Sequence, residues 1–298
     1  MGTPFGERLD AGIAHRGGLC VGIDPHPATL EAWGLPVDAG GAERLGRALI
    51  AAAAGRVAIV KPQVSLFECF GAAGFAALER IIAAARAAGL LVIADAKRGD
   101  IGSSNAGYAR AWLGETAPFA CDALTVSPYL GVGALLGLKE AATLAGAGLF
   151  VLAATSNPEA DAMQGTGDPS VAARIAAAVG EWSEEEAAPG PLGSFGIVFG
   201  ATGAPVARGL DIRRTSSRLP VLAPGFGAQG ATLRDAGRLF PGARHRLLAS
   251  VSRAITAAGP ERAAATIETF TTDLADGWNA AEEERTCPVK PDQAPARG

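Results

Sequence analysis

The chain is expected to fold as a single α/β domain, a (β/α)8 TIM barrel, and three observations carry that expectation. Eight short apolar runs alternate with Ala-rich stretches of helical character. Polar side chains recur immediately after the apolar runs, where such a barrel keeps its functional face. The 298 residues accommodate a barrel of about 250 residues plus a loose tail.

The apolar runs are 19–23, 57–60, 90–94, 123–126, 149–154, 195–199, 219–223 and 246–250. Asp24, Lys61, Asp95, Ser127, Ser156, Thr202 and Gly225 follow shortly after seven of them. Helical segments are expected at 41–54, 74–88, 169–180 and 231–239, long enough to return each strand parallel to the last. Residues 1–285 are assigned to this barrel. The stretch 157–191, rich in Gly, Pro, Asp and Glu around one short helix, is long for a loop and is expected to act as a lid over the mouth. Residues 286–298, with three prolines and little apolar content, are expected to be a disordered C-terminal tail.

Composition removes several function classes. Mean hydropathy is +0.22, yet charged residues interrupt every apolar run before it could span a bilayer, so no membrane association is expected. The first residues lack the basic and apolar segments of a secretory signal, which makes the cytoplasm the default location. A net charge of −4 offers no basic footprint for nucleic acid, and the expected partner is a small molecule. Cys20, Cys69, Cys121 and Cys287 show no metal-knuckle spacing, and the three histidines are scattered, so no metal site is expected. Cys20 and Cys121 read as small core residues. No serine is framed as a nucleophile elbow, which argues against acyl transfer.

The densest chemistry lies in Asp95-Ala96-Lys97-Arg98-Gly99-Asp100-Ile101, directly after an apolar run. Alternation along a strand sends Asp95 and Lys97 to one side at its C-terminal end. Lys61 taken singly reads as a surface cation. Placed at the neighbouring strand end, it completes an array of alternating charge in which each group stabilises the next and a lysine is held near a reacting carbon. Gly225-Phe226-Gly227-Ala228-Gln229-Gly230 has the spacing of a dinucleotide fingerprint, but it follows the seventh run and Ser250 stands where an acidic ribose ligand belongs. Glycines at that place suit a phosphate held by backbone N–H groups instead.

The pattern Asp-x-Lys-x-x-Asp-Ile, with Asp24-Pro25-His26-Pro27 and the Lys61 position, resembles the orotidine 5'-phosphate decarboxylase family, in its longer bacterial branch. The resemblance implies cofactor-independent decarboxylation of orotidine 5'-phosphate to UMP, in de novo pyrimidine biosynthesis. It implies that Lys97 protonates C6, that Asp95 lies against the substrate carboxylate, and that Lys61 belongs to the charged array and contacts the ribose. Asp24 would bind a ribose hydroxyl, Ser156 would read the pyrimidine edge, and Gln229, Arg253 and glycine amides such as Gly227 would hold the phosphate. Asp100, Ile101 and Ser104 would reach the site of a partner subunit, making a homodimer with shared active sites. A related sugar-phosphate group that works through a metal-stabilised enediolate carries an acidic ligand at the second strand end, where this chain has Lys61. A non-catalytic phosphosugar-binding barrel would keep Gln229 and Arg253 but have no need of Lys97. Met163 and Gln164 in the lid segment match nothing specific.

Overall fold

Eight parallel strands close into a barrel in chain order, β8 pairing back onto β1, in the computed structural model, which describes residues 2–186, 190–202 and 209–286. The strands are β1 (Leu19–Ile23), β2 (Ile59–Pro62), β3 (Leu91–Arg98), β4 (Ala123–Val126), β5 (Gly148–Ala154), β6 (Phe195–Phe199), β7 (Val221–Pro224) and β8 (Leu247–Val251). The helices are α1 (Phe5–Arg16), α2 (Pro27–Ala32), α3 (Ala39–Ala53), α4 (Ser65–Glu68), α5 (Gly71–Ala87), α6 (Gly102–Trp112), α7 (Leu136–Ala145), α8 (Asp161–Gln164), α9 (Val171–Glu185), α10 (Ala236–Leu239), α11 (Arg253–Thr256) and α12 (Ala263–Thr286).

Local chemistry explains the longer helices. The Asp38 carboxylate caps α3 by accepting the Gly41 N–H at 2.8 Å, and the buried stripe Ala42, Leu45, Leu49 and Ala53 recurs at three- and four-residue spacing. Gly46 interrupts that stripe because Ile81 of α5 packs where its side chain would stand. Ser170 caps α9 through the Ala173 N–H at 3.1 Å, and α7 ends on Gly146 in the left-handed conformation.

Strand parity divides the core in two. Leu19, Val21 and Ile23 of β1, like Val60, Val92, Leu124 and Val151 of β2 to β5, face outward and pack with the helices. Cys20, Ile59, Ile93, Ala123, Phe150, Val198, Leu222 and Leu248, one from each strand, face inward and form a second cluster with Phe5, Leu9 and Ile13 of α1. The Phe5 and Phe150 rings meet edge to face with centroids 6.1 Å apart. The lower barrel is therefore filled by side chains and closed beneath by α1. Above this layer the same inward parity continues to Asp24, Lys61 and Gln63, Asp95, Thr125, Ser250 and Ser252.

Four strands end later than expected, in a way that matters. β2 continues through Lys61 and Pro62, since Pro62 keeps its place opposite Ile23 in the ladder with β1. β3 runs four residues beyond the apolar stretch, so Asp95 and Lys97 belong to the strand. β7 and β8 each end one residue later than the apolar runs suggest. Within the expected lid segment, α9 is a 15-residue crossover helix packed on β5 and β6, longer than the short helix anticipated there. The tail beyond Thr286 and Cys287 lie outside the described residues.

Candidate active site

A cavity of about 390 Å³ opens at the C-terminal end of the barrel strands, and Asp24, Lys61, Asp95, Lys97, Ser156, Gln229 and Arg253 all line it. Leu152, Val198 and Leu222 form its apolar part. The seven residues come from six strands and the loops that follow them, and apart from Asp95 and Lys97 they share no sequence neighbourhood; the inward parity of the strands converges them.

Asp95 sits at the centre of the charged array. Its Oδ2 accepts from Lys61 Nζ at 2.8 Å, while Oδ1 accepts from Lys97 Nζ at 2.6 Å and from the Thr125 hydroxyl at 3.0 Å. Burial alone would raise the Asp95 carboxyl, but Lys61 and Lys97 outweigh it and hold the group well below the usual carboxylate range. Burial likewise disfavours the Lys61 ammonium, and the carboxylates of Asp95 and Asp24 overcome that penalty and raise it. The two lysines are not equivalent. The Lys61 side chain is 7% exposed, whereas that of Lys97 is 46% exposed and faces the open cavity, where Gln63 Oε1 also accepts from it at 3.4 Å.

The strand is irregular at this point. Ala94 pairs with Leu124 and Arg98 with Val126, so residues 95–97 of β3 stand opposite Thr125 alone. Lys97 has φ +50°, the one non-glycine residue with positive φ among the described residues. Such a conformation costs about 1–3 kcal/mol and persists only when its surroundings impose it. The Arg98 guanidinium donates to the Ala96 carbonyl at 3.0 Å, pairs with Glu68 and lies over the Trp112 ring. A β-bulge thus aims the Lys97 ammonium at the mouth.

Opposite the charged array stand the β7 and β8 loops. Gly225, Phe226, Ala228 and Gln229 line the cavity beside Ser252 and Arg253; Gly227, expected to contribute its amide, is not among the lining residues. It has φ +77°, and a side chain there would meet Ala254, so its place in this turn requires glycine. Arg253 has no acidic partner among the described residues. Asp24 Oδ1 and Ser252 Oγ are buried with no hydrogen-bond partner among the described residues.

Asp100, Ile101 and Ser104 are not brought to this cavity. They start α6 on the outer surface, with Ile101 62% exposed. The loop is nonetheless held: buried Asn105 donates to the Asp100 and Ala134 carbonyls at 2.6 and 2.8 Å and accepts the Asp100 N–H at 3.0 Å. Gln63, Thr125 and Ser252 belong to the site although no motif singled them out. Gln63 keeps the inward parity of Lys61 and Ser252 that of Ser250, whereas nothing in the sequence pointed to Thr125. Gln164 reaches back to the cavity-lining segment, accepting the Thr155 N–H at 2.8 Å.

Cys20 and Cys121 are core residues, and burial pushes both thiols up to about 12. No group of three metal-ligating side chains occurs among the described residues, and no helix among them is long and apolar enough to cross a membrane.

Comparison with known proteins points one way. The profile described as "Orotidine 5'-phosphate decarboxylase / HUMPS family" matches residues 17–267. The orotidine 5'-phosphate decarboxylase of Streptomyces coelicolor is 49% identical over 263 residues, 87% of this chain and 91% of that one. That of a Nocardioides species is 50% identical over 253 residues, 84% and 90% of the two chains. Among solved structures, a Streptomyces avermitilis protein described as an orotidine 5'-phosphate decarboxylase superposes with TM-score 0.86 at 45% identity, covering 93% of this chain and 96% of that one. Leishmania donovani OMP decarboxylase superposes with TM-score 0.72 at 28% identity, covering 94% and 100%.

Proposed function

Because the chain belongs to the orotidine 5'-phosphate decarboxylase / HUMPS family, we propose that it decarboxylates orotidine 5'-phosphate to UMP, with Lys97 as the proton donor. The observation that carries this reading is the Lys61–Asp95–Lys97 array, in which the more exposed ammonium is directed into the cavity while the buried one is spent on the carboxylate. In the reaction the bond from C6 to the carboxylate carbon breaks and its electron pair stays on C6. The Lys97 ammonium gives a proton to C6, and CO2 leaves. C6 has no adjacent carbonyl to delocalise the pair, so the site stabilises it electrostatically and neutralises it at once. Asp95 lies against the departing carboxylate. Lys61, Lys97 and Thr125 all donate to it and keep it ionised there, and the carboxylate in turn holds the Lys97 ammonium beside it.

The remaining residues bind. Asp24 and Lys61 take the ribose hydroxyls, which gives the unpartnered Asp24 Oδ1 a donor. Ser156 reads the pyrimidine. Gln229, Arg253 and amides of the Gly225–Gly230 turn hold the phosphate, with Arg253 supplying a charge that has no acidic partner among the described residues. Binding energy from the phosphate is remote from C6 and serves to align the base. Asp100, Ile101 and Ser104 lie outside their own cavity's lining and serve the site of a second subunit in a homodimer. The exposed apolar side chains Ile101, Tyr129 and Leu130 support that surface as the contact. The segment around α8, tied to Thr155 by Gln164, covers the mouth. The reaction calls on no cofactor.

The test is the loss of orotidine monophosphate absorbance on adding the protein, with and without EDTA. Turnover unaffected by EDTA is expected. Tight UMP binding without turnover would instead make the chain a phosphosugar-binding barrel, and turnover abolished by EDTA would overturn the metal-free mechanism.

A further inference from the structure

We propose that Thr125 is a positioning residue for Lys97, acting through the β3 bulge, an inference that rests on the decarboxylase reading above. The two residues that β3 has in excess of β4 between Ala94 and Arg98 take the Lys97 N–H out of the ladder. A backbone donor removed from its ladder inside a barrel needs another acceptor. It finds the Thr125 hydroxyl, Lys97 N to Oγ1 2.9 Å. That hydroxyl has one proton of its own to give, and Asp95 Oδ1 stands 3.0 Å away. An ionised carboxylate only accepts, so the direction of both bonds is determined: amide to hydroxyl, hydroxyl to carboxylate. Thr125 is 1% exposed, and it lies beneath the array rather than among the cavity-lining residues.

One side chain therefore fixes both ends of the ion pair that the mechanism uses. It grips the backbone of Lys97 in its positive-φ conformation and orients the Asp95 oxygen to which the Lys97 ammonium is bound. Without the hydroxyl, the Lys97 amide loses its acceptor and Asp95 Oδ1 keeps only the ammonium. The strained residue is then free to relax, and the ammonium with it. Substrate affinity depends on Asp24, Lys61, Ser156, Gln229 and Arg253, and the Thr125 hydroxyl bonds to none of them. The loss should appear in kcat.

The experiment compares Thr125→Val, which keeps the shape and removes the hydroxyl, with Thr125→Ser, which keeps the hydroxyl. Wild-type turnover of orotidine monophosphate is established first. Thr125→Val should lower kcat about 10- to 100-fold, the range that loss of hydrogen bonding to a charged group implies. Its KM and its inhibition by UMP should stay near the wild-type values, and Thr125→Ser should recover most of kcat. If the valine variant yields no folded protein, Thr125→Ala replaces it with the same expectations. A valine variant with wild-type kcat, a loss residing in KM, or a serine variant as impaired as valine would each overturn the inference. An inactive wild type would overturn the decarboxylase reading itself, which keeps the two failures distinct.

Discussion

Replacing Lys61 by methionine keeps the aliphatic stem and removes only the ammonium, which isolates the buried half of the charged array. Asp95 Oδ2 then loses its one hydrogen-bond donor, on a side chain that is only 12% exposed. Breaking a buried pair costs about 3–5 kcal/mol when no other partner remains. Here Lys97 and Thr125 still donate to Oδ1, so the expected loss is nearer the value of one charged hydrogen bond, about 2–3 kcal/mol. Its pH dependence has a definite sign. The Asp95 carboxyl is depressed in the folded chain, so its contribution is present above the unfolded value of about 3.9 and fades as pH falls below it. Lys61 is raised, so its contribution is complete below about 10.4 and fades only as pH rises through the folded value. The gap between wild type and Lys61→Met should therefore be widest between these limits and narrow as pH approaches 4, where the variant's poorly compensated carboxylate takes up a proton. Urea denaturation at pH 7 and at pH 4.5 measures it. Equal midpoints at pH 7, or a gap that grows on acidification, would refute the reasoning.

Lys97→Ala should abolish turnover while UMP binding, followed by calorimetry, stays largely intact, because the role proposed for the ammonium is at C6 rather than on phosphate; appreciable residual turnover would remove Lys97 from that role. Arg253→Ala should act mainly on KM through a lost charge-assisted phosphate contact worth about 1.5–3 kcal/mol, and an unchanged KM would dismiss the contact. Mixing inactive Lys97→Ala and Asp100→Ala proteins under subunit exchange should restore activity. By symmetry, about half the dimers are then mixed and one site in each is intact, so about a quarter of all sites recover. No recovery despite demonstrated exchange would mean that Asp100 serves its own chain.

The barrel was legible because apolar runs and helical stretches alternate, and β1 even has the expected bounds, set between Gly17-Gly18 and Asp24. Inward and outward parity was not, since a parallel strand covered on both faces shows no alternation of apolar and polar residues. That hid Thr125, which reads as one more β-branched core residue. β3 was read as ending at Ala94 because charge normally ends an apolar strand. The bulge that lets it continue depends on side chains from β4 and α4, far off in sequence. Asp95 and Lys97 do meet, as strand alternation suggested, but a positive-φ lysine rather than regular pleating completes the meeting. Gly227 drew notice as part of a glycine pattern, and with φ +77° it belongs to the turn that presents Phe226 and Ala228 to the cavity.

The filled lower barrel has a consequence for traffic. With Phe5, Phe150 and their neighbours occupying the interior above α1, the lower end is packed shut among the described residues, and the open doorway lies at the C-terminal ends of the strands. Orotidine monophosphate, UMP and carbon dioxide must all use it, so the gas departs past the nucleotide or after it. Anything that shuts the doorway to shield the carbanion also detains both products, and the tempo of turnover is then shared between chemistry and the reopening of that one exit.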